Sequence, residues 1–332
     1  MSVFIIAEAG VNHNGNYDLA CKLAFEAKKA GADAVKYQTF KAEALVTPDA
    51  KTADYQKKAI GTPKSQYQML KDLELTEDEF ISLRNYCDEI GIAFCTTTFD
   101  PISTALAFDK LDLPFVKIPS GEITNLPFLE IAGASKKPVI LSTGACALSE
   151  VRDAVEVLKG AGSIDITVLH CTTQYPAPYE DVDLRAMEAM GKSLGLPYGY
   201  SDHTKGIEVA VAAVAMGASV VEKHFTLDKT MEGPDHKASL EPQELSELIT
   251  AIRHVECALG KPKKRIHQSE IDNRKVVRKS IVALKPIKQG ELFNVDNIGT
   301  KRPGTGISPM RWHEVIGKCA PRSFDSNELI EL

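Results

Sequence analysis

His203 and His224 are the two side chains in this sequence best spaced to act as a pair. Each closes a short run with strand character, Tyr198-Gly199-Tyr200-Ser201-Asp202-His203-Thr204 and Val220-Val221-Glu222-Lys223-His224-Phe225-Thr226. The small-residue helical pattern between them has the length that brings neighbouring parallel strands side by side. Neutral imidazole is a common metal ligand, so two at the same end of adjacent strands could hold a divalent ion at a barrel mouth. A lone histidine is more often a core or capping residue. Matched placement after consecutive strands, each beside a carboxylate (Asp202, Glu222), favours a site.

Lys36 and Lys117 form a second pair. Parallel sheets are covered on both faces, and a buried unpaired ammonium is costly, so lysine within such a strand needs a reason. Directed into a barrel mouth, the two could share an anion, with the turns Ser120-Gly121-Glu122 and Ser142-Thr143-Gly144 adding backbone N–H donors. The alternatives are ion pairs with Glu8 or Glu122, or a Schiff-base lysine. A metal on the histidines, an anion between the lysines and carboxylates at Glu8 and Glu122 suggest a condensation: the metal polarises a carbonyl and the carboxylates move protons. Spacing reaches no further than that.

The elements that must hold these residues follow from alternating apolar and amphipathic runs up to about residue 260. Strands are expected at 4–8, 34–38, 93–97, 115–118, 139–142, 167–171, 198–201 and 220–223. Helices are expected at 19–30, 77–90, 104–111, 127–135, 150–159, 184–194, 207–216 and 243–259, with a capping box at Thr76 and Glu79. Eight such units predict a closed (β/α)8 barrel, with an open doubly wound sheet as the weaker alternative. A barrel requires polar residues where strands end. Glu8 and Asn12-His13-Asn14, Lys36 and Gln38, Thr96-Thr97-Thr98, Lys117 with Ser120 and Glu122, Ser142-Thr143, His170 with Thr172, Thr173 and Tyr175, and finally His203 and His224 meet that demand. A long insertion, 41–74, either borders the site or is a surface excursion.

After Gly260 the charged run Lys261-Pro262-Lys263-Lys264-Arg265 reads as a solvated linker, followed by a small module with a strand at 280–284 and an irregular 301–309 segment. The divisions are 1–262, a linker at 263–278 and 279–332. So small a module is expected to dock on the barrel or on a partner subunit. The 332 residues are 44% hydrophobic and 25% charged with net charge −6, which excludes a basic nucleic-acid surface. The sequence contains no run long enough to span a membrane and no signal-like N-terminus, and its seven cysteines are scattered without a Cys-x-x-Cys pair. A soluble cytoplasmic protein with reduced thiols is expected.

Six stretches closely resemble the bacterial sialic acid synthase family: Ile6 to Gly15, Val35 to Gln38, Lys117 to Glu122, Tyr200 to Thr204, Glu222 to Thr226 and Gly233-Pro234-Asp235-His236. The terminal module resembles the family's SAF domain, related to type III antifreeze proteins. The resemblance covers nearly the whole chain. It implies condensation of phosphoenolpyruvate with an N-acetylated mannose-type sugar to a nine-carbon 2-keto acid and phosphate. It further implies that His203 and His224 bind a divalent ion, usually Mn²⁺ with Mg²⁺ or Co²⁺ as alternatives, and that they are catalytic with Glu8 and Glu122. Lys36, Lys117, Ser120, Ser142 and Ser201 would grip phosphoenolpyruvate. Glu8, Tyr175 and Asp235 would face the sugar, and Gln38, Thr97, Thr173 and Glu222 complete the substrate-binding set. Arg302 would serve the partner's site in a domain-swapped homodimer.

Threonine in Thr172-Thr173-Gln174-Tyr175 stands where some N-acetylneuraminate synthases have a sugar-contacting asparagine. The segments 122–127 and 236–242 resemble the legionaminic acid branch. That branch uses 2,4-diacetamido-2,4,6-trideoxy-mannose, and N-acetylmannosamine is the alternative acceptor. More distant rivals are a metal-dependent aldolase or isomerase that spares phosphoenolpyruvate, and a non-catalytic carbohydrate- or ice-binding protein.

Overall fold

The structure is a computed structural model that describes residues 2–47 and 65–332. The chain forms two compact units, Met1–Gly260 and Lys261–Leu332. In the first, eight strands run parallel: β1 (Phe4–Gly10), β2 (Ala34–Thr39), β3 (Ala93–Thr98), β4 (Val116–Ile118), β5 (Val139–Ser142), β6 (Ile166–His170), β7 (Tyr198–Asp202) and β8 (Val220–His224). Their order is β3-β2-β1-β8-β7-β6-β5-β4. The two ends of that order, β3 and β4, lie against each other, so the sheet curls into a ring, which removes the open-sheet alternative. At the β3/β4 seam, Cys95 Sγ reaches the Phe115 carbonyl oxygen at 3.8 Å.

Side chains alternate across each strand, and this places the chemistry. The barrel floor is an apolar plug of Ile6, Ala34, Cys95, Phe115, Ile140, Leu169 and Val220. Two residues further along the same strands, the inward positions become Glu8, Lys36, Thr97, Lys117, Ser142, Cys171 and Glu222. One pleat therefore separates a hydrophobic floor from a charged upper layer.

The outer layer is α1 (Tyr17–Ala30), α2 (Glu77–Ile90), α3 (Pro101–Asp109), α4 (Leu126–Ala134), α5 (Leu148–Ala161), α6 (Arg185–Leu194), α7 (Glu208–Ala215) and α8 (Pro242–Leu259). The expected capping box at Thr76 and Glu79 opens α2. In α8, Leu245, Leu248, Ile249 and Ile252 are buried in the same core as Leu23 and Ala27 of α1. Strand β1 runs two residues past its expected end because Ala9 and Gly10 continue its burial. Within the insertion, helices at Ala42–Leu45 and Gln66–Leu73 are present, and Met69 and Leu73 pack on Val11 and Phe40. Its central part, 48–64, lies outside the described residues.

The second unit has its own core of Ile281, Ala283, Ile287, Phe293, Ile298, Val315, Phe324 and Ile330 around the antiparallel strands β9 (Ser280–Ala283) and β10 (Ile298–Lys301). The expected linker at 263–278 is not irregular throughout: an exposed helix occupies Ile271–Val277, where no proline or glycine interrupts the sequence. All seven cysteines are free. Among the described residues, no helix is long and apolar enough to cross a membrane.

Candidate active site

Four charged side chains meet above the apolar floor. Lys36 on β2 pairs with the Glu8 carboxylate on β1 and lies 4.0 Å from Glu222 Oε2 on β8. Lys117 on β4 lies 3.3 Å from Glu222 Oε1, so Glu222 stands between the two ammonium groups. The counter-ion of Lys117 is thus Glu222, and Glu122 is not part of the network. Alternation explains the difference, since Glu222 is two residues beyond the floor residue Val220. Hydroxyls and an amide complete the layer: Lys36 Nζ donates to Thr97 Oγ1 (3.1 Å), Lys117 Nζ to Ser142 Oγ (2.8 Å), Ser201 Oγ to Glu222 Oε1 (3.1 Å) and Gln38 Nε2 to Glu8 Oε1 (3.2 Å).

The two carboxylates are driven apart in acidity. Burial pushes Glu8 up to about 7 against the attraction of Lys36. Burial acts on Glu222 as well, but Lys117 and Lys36 outweigh it and hold it down at about 2. Burial lowers Lys36, and Glu222 and Glu8 more than reverse that, leaving it raised. Two lysines, each under 5% exposed, therefore face one firmly ionised carboxylate, a local excess of positive charge suited to an anion.

His203 and His224 meet at the rim with ring centroids 5.5 Å apart. Tyr175 covers them, 4.2 Å from the His203 ring and 5.5 Å from that of His224. Burial keeps His203 below its ordinary pKa, and burial together with the neighbouring His203 keeps His224 well below it, so both rings are neutral. His203 Nδ1 donates to the Thr172 carbonyl oxygen at 2.7 Å, which leaves Nε2 with a free lone pair. His224 Nδ1 is buried with no hydrogen-bond partner. Two neutral rings, one oriented from behind and one with an unsatisfied nitrogen, fit a divalent ion. Among the described residues no group of three or more His, Cys, Asp or Glu side chains is arranged to hold a metal.

Other residues occupy the surrounding wall. Ser120 Oγ lies 3.3 Å from Cys171 Sγ and accepts from Gly144 N at 2.7 Å. Thr173 crowds the same spot, since a Cβ on Gly144 would fall 2.2 Å from its Oγ1. Three N–H groups of the two turns are engaged within the wall: Gly144 N donates to Ser120 Oγ, Thr143 N to the Leu169 carbonyl oxygen and Glu122 N to that of Pro119. Asp235 lines a cavity of about 110 Å³ with Gln38, Met69, Tyr175 and His224, and burial raises it to about 6. A larger cavity of about 670 Å³ lies beside Thr173 and Cys171, over α5 and α6; none of the four charged residues lines it.

Glu122 stands apart, on the short turn after β4, where its carboxylate accepts from Asn125 Nδ2. Arg302 belongs to the second unit, exposed, with Nε donating to the Val277 carbonyl oxygen at 3.0 Å. His13 and His236 of the recognised motifs are loop-pinning residues: His13 Nδ1 accepts from Gly15 N, and His236 bonds Thr226 and Asn14. The sequence reading passed over one buried lysine, Lys223, which pairs with Asp202 on the outer face of the barrel wall. Its signal was the one that singled out Lys36, a lysine inside a parallel strand.

A model of the NeuB family matches residues 23–264, and one of the SAF domain matches 278–331. The chain is 51% identical to an N,N'-diacetyllegionaminic acid synthase of Campylobacter jejuni over 98% of each chain. It is 46% identical to the protein of that name from Legionella pneumophila, over 96% of this chain and 90% of the other. Among solved structures, an N-acetylneuraminic acid synthetase from Leptospira borgpetersenii matches at 35% identity with a TM-score of 0.71, covering 82% of this chain and 90% of that one. With the charged barrel mouth, the paired histidines and both family models in agreement along the chain, this protein belongs to the NeuB family.

Proposed function

We propose that this enzyme condenses phosphoenolpyruvate with 2,4-diacetamido-2,4,6-trideoxy-mannose to give N,N'-diacetyllegionaminate and phosphate. The observation that carries the reading is the site itself: two buried lysines share one firmly ionised carboxylate beside two neutral imidazoles. Identity of 51% and 46% to two proteins named for that product, against 35% to the neuraminic acid synthetase, supports the choice of sugar.

In this reading Lys36, Lys117, Ser142, Ser201 and Ser120 bind the phosphate and carboxylate of phosphoenolpyruvate. Glu222 spaces the two ammonium groups, and Thr97 orients Lys36. Gln38, Tyr175, Thr173 and Asp235 bind the sugar. A divalent cation, Mn²⁺ with Mg²⁺ or Co²⁺ as alternatives, held by His203 and His224, would supply polarisation of the sugar aldehyde when bound. C3 of phosphoenolpyruvate bonds to the aldehyde carbon, and protonated Glu8 gives its proton to the aldehyde oxygen. Water adds at C2 and gives up one proton; the bond from C2 to the bridging oxygen then breaks, phosphate leaves with that oxygen and the electron pair, and the new C2 hydroxyl loses its proton to become the keto oxygen. Glu122 acts near C2 after its side chain leaves Asn125.

The remaining parts of the reading are a cytoplasmic homodimer, a barrel domain at 1–262, a linker at 263–278 and a terminal domain at 279–332 that lends Arg302 to the partner's site. Phosphate release from phosphoenolpyruvate, Mn²⁺ and each candidate sugar tests the assignment. A higher kcat/KM with the diacetamido sugar than with N-acetylmannosamine is expected, and the reverse order makes the protein an N-acetylneuraminate synthase. Absence of phosphate release with both sugars removes the reading.

A further inference from the structure

Asp202 and Lys223 are both essentially inaccessible, and neither faces the barrel mouth. They are register partners across the β7–β8 ladder. Glu222 and His224, one residue either side of Lys223, point inward, so alternation turns Lys223 and Asp202 outward beneath the helical layer. Asp202 Oδ2 accepts from Lys223 Nζ at 2.7 Å, while Oδ1 accepts from Thr204 N at 2.9 Å and from Thr204 Oγ1 at 2.7 Å. Lys223 Nζ also donates to the Thr204 carbonyl oxygen at 2.6 Å. The pair and its threonine therefore lash the turn 202–204 to strand β8. His203 lies in the middle of that turn, and His224 is the residue after Lys223.

A buried ion pair roughly breaks even against apolar residues of the same volume, so gain in stability does not account for two charges here. An apolar pair could not hold the Thr204 turn by three further hydrogen bonds. We propose that Asp202 and Lys223 are positioning residues that set the separation of the His203 and His224 rings for a shared divalent ion. The proposal rests on the two-histidine metal reading and adds residues that touch neither metal nor substrate. It gives a role to the Asp202 and Lys223 positions of the two motifs, which the proposed chemistry leaves unused.

The test measures Mn²⁺ affinity of the purified full chain by electron paramagnetic resonance of the free ion, with no substrate present. Asp202→Leu combined with Lys223→Met removes both charges together and avoids leaving one unpaired. This double variant is expected to keep the wild-type circular dichroism spectrum and melting profile, to bind phosphoenolpyruvate within about two-fold of wild type, and to bind Mn²⁺ about 10- to 100-fold more weakly. Thr204→Val keeps both charges and is expected to weaken Mn²⁺ binding a few-fold; it decides the matter if the double variant does not fold. Mn²⁺ affinity unchanged in the folded variants, with wild type binding and His224→Ala not binding, overturns the positioning role alone. Wild type that binds no Mn²⁺, or binds it equally well as His224→Ala, overturns both the metal reading and this one.

Discussion

At the scale of single residues, the informative contrast is between Glu8 and Glu222, which share a lysine yet differ widely in acidity, one pushed up to about 7 and the other held down at about 2. Glu222 has two ammonium neighbours and stays ionised; Glu8 has one and is dominated by burial. Since the proposed chemistry uses the protonated form of Glu8, kcat/KM should fall as pH rises through about 7. Glu8→Gln should abolish that bend and lower kcat by at least about 100-fold, read from pH–rate profiles of the two proteins. A wild-type profile flat between pH 6 and 8 would exclude Glu8 as the acid. Lys117→Met leaves Glu222 facing one lysine and removes a donor from the anion site. It should raise KM for phosphoenolpyruvate by 10-fold or more while the sugar KM moves less, because truncating one partner of a buried charged contact costs about 2–5 kcal/mol.

At the scale of elements, strands such as β5 and β8 were legible because they are buried on both faces and read as an unbroken apolar run until they reach the mouth. The floor-to-mouth change was legible too, since Ile6 to Glu8 and Ala34 to Lys36 are two-residue steps visible in the sequence. Which acid meets which lysine was not. Glu8 and Glu122 were both open as partners, but a short helical turn after β4 swings Glu122 to Asn125, and no spacing rule encodes that rotation. The exposed helix at Ile271–Val277 was hidden by the charged run before it.

The loops also carry a pH-dependent fastening. His13 holds the turn after β1, and His236 ties the segment after β8 to Thr226 and Asn14. Burial lowers both imidazoles to about 4 from an ordinary 6.5. Between pH 6.5 and 4 the unfolded chain takes up these protons and the folded one does not. This part of the stability is therefore complete above pH 6.5 and lost as the pH falls toward 4, on the order of 3 kcal/mol for each ring. Glu8 and Asp235, raised to about 7 and about 6, act in the opposite direction over part of this range, so urea midpoints followed by circular dichroism should show the imidazole decline below 6.5 partly offset. His236→Gln should flatten part of that decline, and an identical slope in the variant would show that His236 does not contribute.

At the scale of the whole molecule, the chain comprises two units with separate cores, and only the first holds the lysines, Glu8, Glu222 and the histidines. The proposed dimer predicts that a working site draws its barrel from one subunit and Arg302 from the other. Arg302→Ala alone removes the arginine from both sites of a dimer, and His224→Ala alone removes an imidazole from both. In a mixed dimer, however, the barrel of the Arg302→Ala chain is intact and receives the arginine of the His224→Ala chain; the other site lacks both. Half the dimers in an equal, randomised mixture are mixed, and each regains one site of two. Phosphate release should then recover to about a quarter of the wild-type rate, although either variant alone is nearly inactive. If each arginine served its own barrel, every site in the mixture would lack one group or the other, and unfolding and refolding the two variants together would restore nothing.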